Sequence, residues 1–174
     1  MTAIRMAAPA TPLDPPLDLR LADPAATEAL GRALARLLRP GDVVALHGDL
    51  GAGKTALARA LIRALPGPAG AEAEEVPSPT FTLVQTYERD PAPVWHFDLY
   101  RLESAGEVEE LGFSEALAEG IVLVEWPERL GSLLPAEALH VTLTFDEGAD
   151  AGGGRRARLD GGGDWPARLA ELRA

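Results

Sequence analysis

The chain has 174 residues, with 16 Lys and Arg against 27 Asp and Glu, for a formal net charge of −11. At 47% apolar residues it is too hydrophobic for wholesale disorder, and a chain of this length predicts one domain that hides roughly 70% of its unfolded surface. So acidic a chain grips a phosphate backbone poorly, since that affinity comes mostly from Lys and Arg, and the lack of any cysteine removes disulfides, thiolate metal sites, Fe–S clusters and cysteine nucleophiles.

Residues 1–16 are Pro-rich and unpatterned and read as a disordered tail; 17–174 read as a single domain. The tail has no apolar core of a secretory signal, and no uncharged run approaches the ~20 residues that span a bilayer. With the absence of cysteine, this predicts a cytoplasmic location. Leu17, Leu19 and Leu21 alternate with charged residues, as in a short strand. Asp23-Pro24 is an N-cap followed by Pro at the first helical position and opens a helix to about Arg39. Val43–Leu46 has the length of a buried strand. A Gly-rich loop and a helix to about Leu65 follow, then a loop over 66–77. Thr80–Tyr87 and Val94–Tyr100 have strand character around an Asp90-Pro91 turn. Residues 102–119 pattern as one or two short helices, and Ile121–Val124 is a second fully apolar run. His140–Phe145 alternates like a half-buried strand. A loop over 148–154, an edge strand near Arg156–Asp160 and a helix over Trp165–Leu172 close the chain. Strands interspersed with helices predict an α/β fold, and the paired strands predict a mixed parallel and antiparallel central sheet flanked by helices.

Gly48-Asp49-Leu50-Gly51-Ala52-Gly53-Lys54-Thr55 matches the phosphate-loop pattern G-x-x-x-x-G-K-[ST] without a mismatch. Glycines let backbone N–H groups turn inward around a phosphate without Cβ clashes. The helix that begins near Lys54 points its positive dipole end at the same anion. Lys54 is the only lysine in the chain. A compact mobile ammonium suits the β- and γ-phosphates better than the planar Arg fork, and the Thr55 hydroxyl is a Mg²⁺ ligand in such loops. A competing reading is a Gly-rich turn that merely caps a helix; the strand before the loop and the Ala/Leu helix after it favour the phosphate site.

A phosphate loop also needs a carboxylate at the end of a neighbouring buried strand, to hold Mg²⁺ or orient water. Glu125 directly follows the run Ile121–Val124, and Asp98 ends the segment from Val94. The bland alternatives are a solvent-seeking strand-end charge for Glu125 and a turn-capping carboxylate for Asp98.

Four blocks then occur in order: GDLGAGKT at 48–55, SPTFTLV at 78–84, HFDLYRL at 96–102 and VEWPERL at 124–130. Together they resemble the TsaE (YjeE) family, the bacterial ATPases of tRNA threonylcarbamoyladenosine biosynthesis, over about residues 17–160. The resemblance implies a P-loop NTPase fold, slow ATP hydrolysis with Mg²⁺, and action beside TsaB and TsaD type proteins, whose complex modifies adenosine 37 of tRNA; contact with tRNA itself is only indirect. It places nucleotide on Asp49, Leu50, Gly51, Ala52, Gly53, Lys54 and Thr55, and metal on Thr55 and Glu125. Lys54, Asp98 and Glu125 are its catalytic candidates, with Asp98 orienting water or metal. Thr80 is a candidate γ-phosphate sensor, and Arg155 is favoured among the arginines of 155–158 as a nucleotide contact. The start of the first helix, Asp23–Thr27, is expected to border the base.

Other features have bland readings. His96 lies in an apolar strand and reads as a hydrogen-bonded core histidine, and His47 reads as structural; the three histidines lack metal spacing. Trp126, beside Glu125, either packs under a strand end, stacks in the site or faces a partner. The glutamates of 103–119 read as a solvated helical face or as a docking surface for a basic partner. Tyr100-Arg101 offers a cis arginine or a surface ion pair. Two rivals to the ATPase remain: a small-molecule kinase on the same fold, and a nucleotide sensor without turnover.

Overall fold

The computed structural model describes residues 16–147 and 153–173. The tail foreseen at the N-terminus, apart from Pro16, and most of the loop at 148–154 therefore lie outside the described residues.

Seven strands form one mixed sheet: β1 (Leu17–Leu21), β2 (Val43–His47), β3 (Val84–Tyr87), β4 (Val94–Asp98), β5 (Ile121–Glu125), β6 (Leu139–Phe145) and β7 (Arg155–Gly161). Their order is β1-β7-β6-β2-β5-β4-β3. The four central strands, β6, β2, β5 and β4, run parallel. The pairs β1/β7, β6/β7 and β3/β4 are antiparallel and extend the sheet on both sides. The mixed α/β architecture read from the sequence is the architecture observed.

The central strands are apolar on both faces because helices cover both. On one face, α1 (Pro24–Ala35) and α2 (Lys54–Ala64) lay Leu30, Leu34, Leu57 and Leu61 over Val44, Leu46, Ile121 and Leu123. On the other, α3 (Glu107–Glu110) and α4 (Phe113–Glu119) bring Val108 and Phe113 onto Phe97, Val122 and Val124. A short helix, α5 (Trp165–Leu169), closes the chain, followed by a single 3-10 turn over Ala170–Leu172. No helix among the described residues is long and apolar enough to cross a membrane.

Several boundaries differ from the sequence reading, each for a local reason. Asp23 caps α1 as expected, its side chain accepting from Ala26 N at 2.8 Å. The helix stops at Ala35 rather than near Arg39: Leu37 N already bonds back three residues to Leu34 O, and Pro40 disfavours helical geometry just before it. Residues 80–83 form a turn, not the start of a strand. Leu83 N donates to Pro79 O and Leu83 itself takes a left-handed φ of 66°, so the ladder begins only at Val84. Strand β4 ends at Asp98 because Asp98 Oδ1 accepts from Tyr100 N at 3.0 Å and turns the chain. Residues 102–119 divide at Gly112, whose φ is 83°. A 3-10 segment over Pro127–Leu133 has no counterpart in the sequence reading.

The contact between α1 and α2 is set by Gly31. A Cβ at that position meets Ala60 Cβ at 2.5 Å and Leu61 N at 3.0 Å. We expect Gly31→Ala to cost about 1–3 kcal/mol through overpacking, despite the better helix propensity of Ala. Adding Ala60→Gly relieves the clash, and the two propensity changes, each about 1 kcal/mol and opposite in sign, cancel. Urea unfolding of the two single variants and the double variant measures this directly.

Candidate nucleotide site

In an open parallel sheet, ligands gather where the carboxyl ends of the strands meet the helices that follow. The phosphate loop leaves β2 there and enters α2. Gly48, Gly51 and Gly53 all have positive φ (141°, 79° and 108°). A side chain at Gly48 is excluded twice over, by its φ and by the Leu143 carbonyl oxygen, 2.5 Å from where a Cβ would lie. The loop is therefore a bare main-chain cradle at the positive end of a helix.

Lys54 and Thr55, the first residues of α2, face the hollow. The Lys54 ammonium donates to the carbonyls of Gly48 and, at 2.9 Å, Asp49, and lies 4.1 Å from the centre of the Trp126 ring. Burial holds it below the usual lysine range, against the pull of the Glu125, Asp98, Glu128 and Asp49 carboxylates. The Thr55 hydroxyl donates to Glu125, lying 2.9 Å from Oε1 and 3.0 Å from Oε2.

Strand register supplies the acids. Glu125 on β5 pairs with Leu46 on one side and Asp98 on the other, so both carboxylates lie at strand ends next to the loop. Both are buried. Asp98 Oδ2 accepts from Ser78 Oγ at 3.1 Å and from Thr80 Oγ1 at 2.9 Å. The turn-capping contact weighed for Asp98 is thus present, and it ties the 78–83 loop to the site. His96, two residues earlier and on the same face of β4, lies within 2.8 Å of Glu125 Oε1 through Nε2.

Two cavities of about 510 Å³ each share Gly53 and Ala56 in their walls. One is lined by Lys54, Thr55, Thr80, Asp98, Glu125 and Trp126, with Leu50 and Arg101 at its margin. The other runs between α1 and α2 and includes Asp23, Thr27, Ala52 and Arg155. Arg155 donates to the Gly51 and Ala52 carbonyls, both at 3.2 Å, and stacks on Phe145. The geometry thus brings every sequence-selected site residue to the loop or to these two cavities; Asp49 belongs to the loop, its carbonyl accepting from Lys54 Nζ and from Ala52 N. Arg101 stacks on Phe81 rather than pairing with an acid.

Two contacts escaped the sequence reading, those of Ser78 and His96, while the stacking of Trp126 in the site is among the alternatives that reading left open. Ser78 joins Thr80 on Asp98. Trp126 lies over Lys54 with a left-handed φ of 59°, rare for a bulky residue. His96 meets Glu125, a pairing that same-face spacing with Asp98 and the adjacency of the two strands signal in principle.

A glycine cradle, a helix N-terminus and strand-end acids on a mixed sheet define a P-loop α/β protein. Within that class, the chain belongs to the TsaE family: the model for "Threonylcarbamoyl adenosine biosynthesis protein TsaE" matches residues 21–156. A Rickettsia felis protein named "tRNA threonylcarbamoyladenosine biosynthesis protein TsaE" is 44% identical over 117 residues, covering 67% of this chain and 66% of its own length, just under two thirds. A Bacillus subtilis protein of the same name is 37% identical, with 73% of this chain and 77% of its own length covered. The crystal structure of Bacillus subtilis YdiB superposes with a TM-score of 0.70 at 29% identity, covering 90% of this chain and 93% of that one.

His47, immediately before the loop, shares a hydrogen bond with His140 (Nε2 to Nδ1, 2.9 Å), the rings stacked. Burial first, then the neighbouring His140, lowers its proton affinity below the ordinary value of 6.5; Glu128 opposes this. The unfolded chain therefore binds this proton more readily than the folded one. Stability from this site is fully present above the unfolded value and lost as pH falls below about 6.5 towards the folded value. We expect His47→Gln to flatten that part of the stability profile, which urea midpoints between pH 7.5 and 5.5 for both proteins will show.

Proposed function

We propose that this chain is a Mg²⁺-dependent ATPase subunit required for threonylcarbamoylation of tRNA adenosine 37, acting with a transferase of the TsaB–TsaD type. The observation that carries the reading is the Thr55–Glu125 contact beside Lys54: a hydroxyl, a carboxylate and an ammonium converge on one glycine cradle. The names of the relatives support the tRNA pathway, and the net charge of −11 favours reaching tRNA through partners rather than directly.

The donor set fits the proposed ligands. Three glycines with positive φ at the N-terminus of α2 suit a phosphate held by main-chain amides. Among the described residues, no three His, Cys, Asp or Glu side chains form a metal cage. Mg²⁺ commonly relies on one or two protein oxygens plus phosphate oxygens and water, and Thr55 and Glu125 are hard oxygen donors of that kind. When bound, the ion supplies charge neutralisation on the β- and γ-phosphates.

The chain's own groups then divide the work. Loop amides and the α2 N-terminus bind the anion, with Arg155 bracing the outer side of the loop through the Gly51 and Ala52 carbonyls. Lys54 exchanges its carbonyl partners for phosphate oxygens. Thr55 and Glu125 hold the metal side. Asp98 orients the attacking water, and Thr80, held on Asp98, connects that position to the 78–83 loop. The space between α1 and α2 receives the base and sugar. Preorganised charges of this kind act on the transition state, so their removal falls on turnover.

The test is phosphate release with ATP and GTP, alone and with the purified transferase pair. We expect slow ATP turnover alone. Lys54→Ala is expected to abolish hydrolysis, while Glu125→Ala keeps nucleotide binding but loses turnover by on the order of 100-fold. Full activity in either variant overturns the assignment. Label from the γ-phosphate on a metabolite instead of free phosphate establishes the kinase; binding without release, even with the partners present, establishes the sensor.

A further inference from the structure

We infer that His96 is a positioning residue for Glu125, fixing the carboxylate in the rotamer in which it meets Thr55 and a divalent cation; this rests on the nucleotide-site reading above. The imidazole is fully buried, and its Nε2 lies 2.8 Å from Glu125 Oε1. To make that bond with the carboxylate, Nε2 carries the proton and donates. Nδ1 is then a bare acceptor, and it has no hydrogen-bond partner among the described residues. Among the described residues, the ring's one polar contact is that to Glu125. An apolar side chain of similar size fills the same space without burying an unpaired nitrogen, so packing alone gives no reason for an imidazole here.

The Glu125 side chain itself needs such a partner. Its terminal torsion is broad and two-fold, so packing fixes it weakly. Oε1 accepts from both His96 and Thr55, whereas Oε2 accepts only from Thr55 among the described groups. The imidazole engages Oε1 and leaves Oε2 with the greater lone-pair capacity, on a residue that lines the cavity. Buried groups that hold a ligating carboxylate by its free oxygen act through the ligand's orientation, and their loss commonly costs 10–100-fold in metal affinity or activity.

Three variants separate positioning from packing. His96→Gln places an amide donor where Nε2 now lies. His96→Asn keeps a polar amide but falls short of Glu125. His96→Leu fills the space without a donor. Mn²⁺ affinity is measured by electron paramagnetic resonance in the presence of ADP, alongside kcat and KM for ATP and the melting temperature of the metal-free protein. The expected result is a 10–100-fold loss of Mn²⁺ affinity and of kcat in the Asn and Leu variants, recovery to within about threefold in the Gln variant, and little change in KM. The order of metal affinities will not follow the order of melting temperatures. Wild-type Mn²⁺ affinity and kcat in the Leu or Asn variant overturn the inference, as does a loss in Gln equal to that in Asn. If the wild-type protein binds Mn²⁺–ADP yet hydrolyses no ATP, the ATPase reading fails while the Mn²⁺ series still decides the role of His96. If the wild-type protein binds no Mn²⁺, the inference fails too.

Discussion

One hydrogen bond, from the Thr55 hydroxyl to the Glu125 carboxylate, joins the two halves of the site. Thr55 belongs to the first turn of α2, and Glu125 ends a strand 70 residues later in the chain. They meet because β2 and β5 are parallel neighbours with Leu46 opposite Glu125, so the loop and the acid emerge at the same edge of the sheet. The rest of the architecture serves this register. Helices on both faces keep the central strands dry, and the antiparallel strands at the flanks extend the sheet without adding acids to the loop.

Burial gives the arrangement its chemical character. A carboxylate 2% exposed and a lysine 5% exposed lie in a hollow where charge interactions are far stronger than in water. Burial depresses the Lys54 proton affinity while four carboxylates raise it. The site's electrostatics are thus a balance between desolvation and local negative charge. The family assignment agrees with this picture, since the matched region, 21–156, contains the loop, both acids and Arg155.

The phosphate loop was legible because its eight residues are contiguous and its chemistry is local. Glu125 and Asp98 were legible for a related reason: an acid that ends an apolar strand reads directly from the pattern. The turn at 80–83 was misread because Thr80, Phe81 and Thr82 carry strand propensity, whereas the actual conformation is imposed by hydroxyls bonding a carboxylate almost 20 positions away. The same limit hid the link between His96 and Glu125. Same-face spacing in β4 was visible, but the pairing of β4 with β5 is a tertiary fact that no single stretch of chain encodes. Gly31 is a further case: its need is defined by Ala60 on another helix.

The lysine's resting place has its own consequence. With its ammonium seated on the Gly48 and Asp49 carbonyls, Lys54 ties the first turn of α2 back to the start of its own loop. The loop is thereby a cross-linked part of the fold and not a slack segment. The entropy of shaping the loop belongs to folding, which lowers the ordering cost of the proposed nucleotide binding.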